Sequence, residues 1–578
     1  MSSYQEIYQS WKNDPEQFWA TAAEDIVWEK RWDQVFDGSM GNYGRWFKGA
    51  ECNTCFNAVD RHVVDRPGQA AIIHSQMTGQ IREISYEDLL EEVSAFGKIL
   101  QNQGVEKGDR VIIYMPMIPE AAIAMLACAR VGAVHSVVFG GFAAEELSIR
   151  INDCTPKLIV AGSCGLEPGR VVEYKPLIDK AIELADHKVS GTIIYQRPDQ
   201  TPAQMGENDH DWETLMQEVK STGQLAPCVP VAATDPLYIL YTSGTTGTPK
   251  GVVRDNGGHM VAMKWSMKNI YGIEPGEVMW SASDVGWVVG HSYIIYAPLL
   301  QGATTLMYEG KPVGTPDAGV FWKVIEQHHV KVLFTAPTAI RAIKRDDPSG
   351  LLMDKADMTS LKTLFLAGER ADPDTIEWSA RHLRVPVIDH WWQTETSWAI
   401  TAIPYGIEKL EGKIGSSNLP MPGYEVHILD ETGSELPAGE IGAIAVKLPL
   451  PPGNAPTLWG DDQRYISSYL TTFKGYYETS DAGYIDEEGY VYVMARTDDV
   501  INVAGHRLST GGMEEVVASH KDVAECAVFG MNDQLKGQLP VGFIVINNGV
   551  ERPVEEIEKE VIALVREKIG PVAAFKTA

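Results

Sequence analysis

Short apolar runs alternate with helix-length segments between residues 109 and 388. The apolar runs are typical of buried strands and fall at residues 109–115, 134–139, 158–161, 192–195, 237–241, 332–335, 363–367 and 385–388. An Ala-rich helical stretch separates the first two runs, and the three segments together predict a βαβ unit. Because these strands are apolar on both faces, the pattern predicts an α/β fold in which helices cover parallel-type sheets.

The pattern changes twice nearer the C-terminus. Between residues 415 and 497, Gly- and Pro-rich segments separate short alternating runs, which predicts a β-rich subdomain. Beyond it, strand-like and helix-like segments alternate in the manner of a small α+β domain. We therefore expect an N-terminal extension at 1–60 that packs on the large domain, a core with two parallel-type sheets at 61–414, the β-rich subdomain at 415–497, and a small mobile C-terminal domain at 498–578.

Composition narrows the range of partners. The chain has 578 residues with 49 Lys and Arg against 78 Asp and Glu, for a net charge of −29. A field of that sign repels nucleic acid and anionic membranes, so an anionic ligand has to be held by a few local donors. Seven scattered cysteines and an N-terminus without an apolar leader predict a cytoplasmic protein, and no segment is apolar enough to predict a membrane span.

A loop of small residues follows the strand-like run 237–240. Residues 241–251 read YTSGTTGTPKG, and such residues let backbone N–H groups approach phosphate oxygens while hydroxyls and one Lys add donors. The loop is not a Walker A motif, because no Gly-Lys-Ser/Thr stands at the required spacing. A phosphate-binding loop is favoured over the alternative, a flexible surface turn.

Further blocks follow this loop in a fixed order. They are SDVGWVVGHSY at 283–293, AGE at 367–369, WWQTET at 391–396, TSD at 479–481 and RTDDVINVAGHR at 496–507. Together with the loop they resemble the motifs of the adenylate-forming enzymes, which include the acyl-CoA synthetases. The resemblance covers nearly the whole chain and is closest to the short-chain branch, the acetyl- and propionyl-CoA synthetases. It implies a ligase that joins a small carboxylic acid to CoA through an acyl-adenylate.

The resemblance also implies ligands and roles. The ligands are ATP, Mg²⁺ and CoA, and the implied catalytic residues are Thr242, Lys250, Thr394, Glu395 and Arg507. Glu395 is implied to bind Mg²⁺ directly or through a neighbour, and Asp481 to accept both ribose hydroxyls, since a carboxylate offers acceptors only. The nucleotide set is Thr242, Ser243, Gly244, Thr245, Thr246, Gly247, Lys250, Gly368, Glu369, Arg370, Asp389, His390, Trp391, Trp392, Gln393, Thr394, Asp481, Arg496 and Arg507.

Acid specificity is implied by the residues at the end of the pocket. Trp392 is expected to limit the acid to a few carbons, and Val288 and Val289 to form the wall. Ala367 stands where acetate-specific relatives typically carry Val. The smaller side chain leaves room for about one more carbon, worth ~1–3 kcal/mol of discrimination. Propionate is therefore expected over acetate, unless Ala367 only packs under Trp392.

Three further sets depart in part from the family. The implied CoA contacts are Arg170, Val289, Ala504, Gly505 and Arg566, although Glu167 stands where many acetyl-CoA synthetases have a second Arg. Arg370 replaces the more usual proline, and its guanidinium either stacks on adenine or faces water. His520 matches a second cation site of the family, or is a solvated histidine at a helix end.

The C-terminal residues differ from the family pattern. The chain reads AAFKTA at 573–578, before the Pro-Lys-Thr-Arg-Ser-Gly-Lys segment whose last Lys serves adenylation in the family. We expect an incomplete small domain that rotates about the hinge Asp498, with adenylation impaired more than thioester formation. The alternatives are a ligase portion of a longer or fused chain activating 3-hydroxypropionate, and a nucleotide-binding module with impaired adenylation.

Overall fold

The computed structural model describes residues 3–140, 142–242, 249–497, 501–503, 506–508, 510–533, 537–546, 550–570, 573 and 575–578. Its α-helices are Tyr4–Asn13, Pro15–Ala22, Arg61–Val63, Tyr86–Asn102, Pro119–Val131, Ala144–Cys154, Lys175–Leu184, Trp212–Thr222, Asn256–Asn269, Ala297–Gln301, Val320–His328, Pro337–Asp346, Pro373–Leu383, Asp462–Tyr469, Thr510–Ala518 and Val554–Lys568. Single π-helical segments, Phe56–Asp60 and Gly290–Tyr296, each lead into one of these helices.

Two seven-stranded sheets form the centre of the described structure. The first has the order Asp209–Asp211, Gly191–Tyr195, Leu158–Gly162, Arg110–Tyr114, Val134–Val137, Pro236–Thr242, Lys250–Asp255, and the second Val387–Asp389, Thr363–Leu366, Val332–Thr335, Val278–Ala282, Thr304–Glu309, Ala70–Gln76, Ile81–Ser85. Each is parallel except for one antiparallel edge strand. The predicted parallel sheets are confirmed.

Two antiparallel sheets follow. One pairs Val426–Leu429, Gly442–Lys447, Tyr476–Ile485 and Val491–Arg496 in that order, and the C-terminal sheet has the order His506–Leu508, Ile501–Val503, Gly537–Ile546, Val523–Asp533. The predicted β-rich region and the small α+β region are therefore confirmed. Short two-stranded pairs are Gln34–Asp37 with Arg45–Lys48, Glu51–Cys52 with Val231–Ala232, Cys164–Glu167 with Arg170–Glu173, and Thr401–Ala402 with Leu419–Pro420.

The Ala-rich helix Pro119–Val131 shows how local sequence sets the architecture. Pro119 occupies its first turn, where the missing N–H costs nothing, and Gly132 ends it in the left-handed region at φ 75°. Every residue of the helix is buried, and its two charged side chains are paired, Glu120 with Arg82 and Arg130 with Asp60. Its small side chains let it lie directly against the helix Tyr86–Asn102 beside the first sheet.

The N-terminal segment lies against a later part of the chain. Tyr4 donates its hydroxyl to the carbonyl of Pro420 at 2.8 Å, Tyr8 donates to Tyr424 O at 2.9 Å, and Trp46 donates to Leu450 O at 2.9 Å. Trp19 is fully buried against Trp265 and Trp398. These contacts are what the predicted packing of residues 1–60 on the large domain requires, although the domain boundaries themselves stay predictions.

Candidate active site

Two neighbouring cavities open near the carboxyl ends of the parallel strands, where α/β proteins usually bind ligands. The main cavity has a volume of about 860 Å³ and is lined by Thr242, Lys250, Ser283, Trp287, Val288, Val289, Phe334, Thr335, Ala336, Ala367, Gly368, Trp392, Gln393, Thr394, Glu395, Tyr469, Thr479, Ser480 and Arg496. The second cavity, of about 480 Å³, shares Ser283 and Trp287 with it. The structure thus brings residues of six sequence blocks to one cavity.

The structure describes only the two ends of the predicted phosphate-binding loop. Thr242 and Lys250 are cross-strand partners at the edge of the first sheet, and both line the main cavity. The predicted residues between them, Ser243, Gly244, Thr245, Thr246 and Gly247, lie outside the described residues. Strand pairing therefore fixes where the loop leaves and rejoins the sheet, beside the cavity.

Lys250 belongs to a polar group that includes an unpredicted tyrosine. Its Nζ donates to the hydroxyl of Tyr469 at 3.3 Å and lies 4.6 Å from the ring centre, and that hydroxyl donates to Glu395 Oε1 at 2.5 Å. Desolvation lowers the pKa of Lys250, and burial followed by the Glu395 charge raises the pKa of Tyr469. A cation and a carboxylate thus face the cavity side by side.

Arg254 holds the Thr394-Glu395 segment in place. This fully buried side chain donates from Nη1 to Glu395 O at 2.9 Å and to Gly453 O at 2.7 Å, and from Nη2 to Thr394 O at 2.5 Å. Sequence reasoning missed it, because it lies outside every recognised motif. Arg254 lies four residues beyond Lys250 on the same strand. An arginine within an otherwise apolar strand is rarely buried without partners, and this was the only sign of its role in the sequence.

Asp481 is held from two sides at the other end of the cavity. Trp391 Nε1 donates to Asp481 Oδ2 at 3.1 Å and Gln393 Nε2 donates to the same oxygen at 2.8 Å. Burial raises the pKa of Asp481 to about 6, against the opposing effect of Arg496, its cross-strand partner. Tyr477, also missed by sequence reasoning, donates to Gln393 Oε1 at 3.0 Å and fixes the amide orientation. The hydrogen bonds from Trp391 and Gln393 both go to Oδ2, and the described residues supply no hydrogen-bond donor to the other carboxylate oxygen.

The predicted nucleotide residues at 368–370 and 389–390 fall into two groups. Gly368 lines the main cavity, while Glu369 accepts from the Thr338 backbone N–H at 2.6 Å and from Arg341 at 2.9 Å. His390 is buried in the core, with its ring nitrogens 2.7 Å from Leu366 O and 2.9 Å from the Tyr271 hydroxyl, and burial lowers its pKa to about 4. Burial also raises the pKa of Asp389. Neither His390 nor Asp389 is among the described residues that line the main cavity, and their nucleotide contacts stay predictions.

The four predicted acyl-pocket residues all line the main cavity. They come from three different motifs: Val288 and Val289 from the first, Trp392 from another, and Ala367 from the one directly after the strand Thr363–Leu366. Trp392 packs edge-on against Tyr293 at 5.5 Å between ring centres and lies 6.1 Å from Phe334. The indole is therefore held in a fixed position at the apolar end of the cavity.

The predicted CoA residues are only partly brought together. Arg170 lines the mouth of the second cavity, and Val289 lines the main one. Glu167 lies beside Arg170 and pairs at 3.2 Å with Lys311, which lines the same mouth. Arg566 is exposed on the helix Val554–Lys568 and lines neither cavity. Ala504, Gly505 and the predicted hinge Asp498 lie outside the described residues, as does the side chain of Arg507.

The predicted cation site at His520 is lined by acidic groups that already have a partner. His520 Nε2 lies 2.9 Å from Glu560 Oε2, and His520, Asp522 and Glu560 stand close enough to share an ion. Arg552 pairs with Asp522 at 2.7 Å and also with Glu560. A cation would have to displace this guanidinium, and the second cation site stays a prediction.

The main cavity fits Mg²⁺ better. Glu395 and the hydroxyls of Thr242 and Thr394 are oxygen donors that line one wall, and Mg²⁺ prefers oxygen ligands, retaining waters and phosphate oxygens where a protein supplies only one or two. The Glu395 carboxylate is oriented by Tyr469 and its backbone by Arg254. The donor set is therefore suited to a magnesium–nucleotide complex.

Comparison with known families gives three matches along the chain. Residues 4–58 match the acetyl-coenzyme A synthetase N-terminus, residues 59–456 the AMP-binding enzyme family, and residues 512–578 the AMP-binding enzyme C-terminal domain. The chain belongs to the AMP-binding enzyme family. The predicted membership of the adenylate-forming enzymes is confirmed.

Individual relatives place the chain near the short-chain acyl-CoA synthetases. It is 52% identical to the mitochondrial acyl-CoA synthetase short-chain family member 3 of Rattus norvegicus over 98% of this chain and 83% of that protein. It is 44% identical to the propionate–CoA ligase of Escherichia coli K12 over 98% and 91% of the two chains. The acetoacetyl-CoA synthetase of Streptomyces lividans shares the fold, with a TM-score of 0.87 at 22% identity over 98% of this chain and 85% of that one.

One further property bears on membranes. Within the described parts of the chain, no helix is both long enough and apolar enough to span a bilayer.

Proposed function

We propose that this chain is an ATP-dependent short-chain acyl-CoA synthetase that activates propionate, and also acetate or a similar small acid. It joins the acid to AMP, releases pyrophosphate, and transfers the acyl group to CoA. The observation that supports this most is a single cavity with a polar wall, from Lys250 to Glu395, and an apolar end closed by Trp392. The 44% identity to a propionate–CoA ligase agrees with it.

In the first half-reaction two anions have to meet. The acid carboxylate attacks the α-phosphorus of ATP, and the bond to pyrophosphate breaks. Lys250 and Arg496 line the cavity and offset the charge of the phosphates despite the net charge of −29. Asp481 accepts the ribose hydroxyls with the oxygen that Gln393 and Trp391 leave free. Glu395 and Thr242 would hold Mg²⁺, which supplies charge neutralisation at the phosphate oxygens when bound.

Ala367 determines which acid the enzyme prefers. It lines the main cavity together with Trp392, and an alanine leaves more space there than the valine that is typical of acetate-specific relatives. The propionate methyl group fills that space, which would stay empty with acetate. Trp392 excludes longer acids because its ring is packed against Tyr293 and Phe334 and has no room to retreat.

In the second half-reaction the CoA thiol displaces AMP from the acyl-adenylate. The second cavity gives the thiol a route, because Arg170 lines it and it shares Ser283 and Trp287 with the main cavity. A phosphate group in that cavity would pair with Arg170, while the thiol reaches the shared wall. Arg566, Ala504 and Gly505 stay predictions for this step.

The test is a product analysis of the purified chain with ATP, Mg²⁺, CoA and each of acetate, propionate and butyrate. We expect AMP, pyrophosphate and acyl-CoA in equal amounts by chromatography and mass spectrometry, with the highest kcat/KM for propionate. Formation of ADP and phosphate instead of AMP and pyrophosphate would contradict the proposal. Nucleotide binding without acid-dependent pyrophosphate exchange would favour the binding-module alternative.

The remaining expectations concern the cellular setting. A cytoplasmic location stays a prediction, since relatives of this chain include mitochondrial proteins. The ligands we propose are small molecules only, and a fusion to further sequence stays a prediction.

A further inference from the structure

The C-terminal region touches the large domain at a charged contact between two side chains. Arg370 Nη2 donates to Glu515 Oε2 at 2.5 Å. Arg370 follows Gly368, which lines the main cavity, while Glu515 lies on the helix Thr510–Ala518, here called the docking helix. The ion pair thus connects a cavity segment with the C-terminal region, where the family more usually has an uncharged proline.

A glycine brings the docking helix close enough for this contact. A Cβ added to Gly511 would stand 2.1 Å from the carbonyl oxygen of Met494 and 3.4 Å from Arg370 Nη1. Met494 belongs to the strand Val491–Arg496, whose last residue lines the main cavity. Since a backbone oxygen cannot retreat as a flexible side chain can, any larger residue would push the helix away.

A second contact shows which side of the molecule is covered. The strand Val523–Asp533 of the C-terminal sheet contacts the helix Pro337–Asp346. That helix begins directly after Ala336, which lines the main cavity, and its Ala339 lines the second cavity. The docked C-terminal region therefore lies beside the helix that borders both cavities, on the side from which CoA would arrive.

The other two nitrogens of Arg370 are buried at the same contact. Nε and Nη1 have no hydrogen-bond partner within the described structure, and Nη1 lies close to Gly511 of the docking helix. The guanidinium is therefore packed against the docking helix, and its pairing with Glu515 through Nη2 depends on that helix being present.

We propose that the Arg370–Glu515 pair is a latch that holds the C-terminal region in the arrangement used for thioester formation. Arg370 is thereby a positioning residue: it acts through the docking helix and sets how fast the second half-reaction proceeds relative to the first. The inference rests on the proposed function, and assigns to Arg370 a role other than adenine stacking or exposure to water.

The test separates the two half-reactions in the full chain. Glu515→Gln should slow CoA-dependent consumption of synthetic propionyl-adenylate about fivefold, the worth of one half-buried ion pair, while propionate-dependent ATP–pyrophosphate exchange stays within error. Gly511→Ala should slow the same step about tenfold or more. The matched control is Arg381→Ala, an exposed arginine on the helix Pro373–Leu383, and it should change neither rate.

A charge swap decides between a latch and a contact with the nucleotide. Arg370→Glu alone should slow thioester formation, and adding Glu515→Arg should restore most of the rate. Absence of rescue, or an equal loss in both half-reactions for Glu515→Gln, would overturn the latch.

A measurement that requires no catalysis tests the latch independently of the proposed function. Backbone hydrogen exchange in the docking helix should speed up in Glu515→Gln and Gly511→Ala relative to wild type, and unchanged exchange would overturn the latch. A wild-type chain that forms no propionyl-CoA would contradict the proposed function, and the exchange data would still decide the latch.

Discussion

The wall of the main cavity and the docked C-terminal region are held in place by different kinds of contact. Arg254 is fully buried and donates to three backbone carbonyls, while the Arg370–Glu515 pair is a single contact with a Glu515 side chain 36% exposed. Water competes little for the first set and strongly for the second. Groups that must meet the phosphates are fixed in advance, whereas the region that must change partners between half-reactions is attached weakly.

The largest effect is expected from removing the Arg254 side chain, which holds the wall of the main cavity. Arg254→Met leaves the carbonyls of Thr394, Glu395 and Gly453 without their donor in a buried setting, which should cost about 3 kcal/mol of unfolding free energy. Urea or thermal unfolding measures this, with Arg381→Met as the exposed control. A loss no larger than that of the control would mean that the cavity wall is not held by Arg254 and would remove the contrast drawn above.

An intermediate effect is expected inside the cavity. Ala367→Val should shift the ratio of kcat/KM for propionate over acetate about tenfold toward acetate, the discrimination that one methylene commonly provides. Ala339→Val adds the same volume to the wall of the second cavity and should leave that ratio unchanged. An unchanged ratio in Ala367→Val would show that Ala367 only packs under Trp392.

The smallest effect is expected from pH. Because burial raises the pKa of Asp481 to about 6, its carboxyl gains a proton below that pH and can no longer accept from both ribose hydroxyls. The KM for ATP should therefore rise a few-fold as the pH falls through about 6 and stay level above it. With 2′-deoxyATP, which lacks one hydroxyl, the rise should be weaker. A flat KM for ATP would argue against Asp481 as the ribose acceptor.

Sequence and structure agree where the information is local. Short apolar patterns predict the strand at 110–114 and the helix that begins at Pro119. Motifs that keep their order along the chain predict that Val288, Ala367 and Trp392 line one pocket. Arg254 could not be foreseen, because its partners Thr394 and Gly453 lie 140 and 199 residues away. Tyr469 and Glu515 escaped for the same reason.

His390 shows that a motif does not reveal the orientation of each of its side chains. Its motif neighbours Trp392 and Gln393 face the cavity, yet its own ring is held by Tyr271 and Leu366 in the core. A motif marks a segment as functional without stating which way each side chain turns. A nucleotide contact by His390 stays a prediction.

The pairing of Thr242 with Lys250 sets a limit on where phosphate can be held. These partners stand about 5 Å apart across an antiparallel pair, and the eight backbone steps that join them extend about 28 Å when fully stretched. The chain therefore leaves the sheet at Thr242 and rejoins it at Lys250 within one strand spacing, so both ends of the segment are anchored at the wall of the main cavity. A phosphate held at that edge of the sheet would lie within reach of the Lys250 ammonium group.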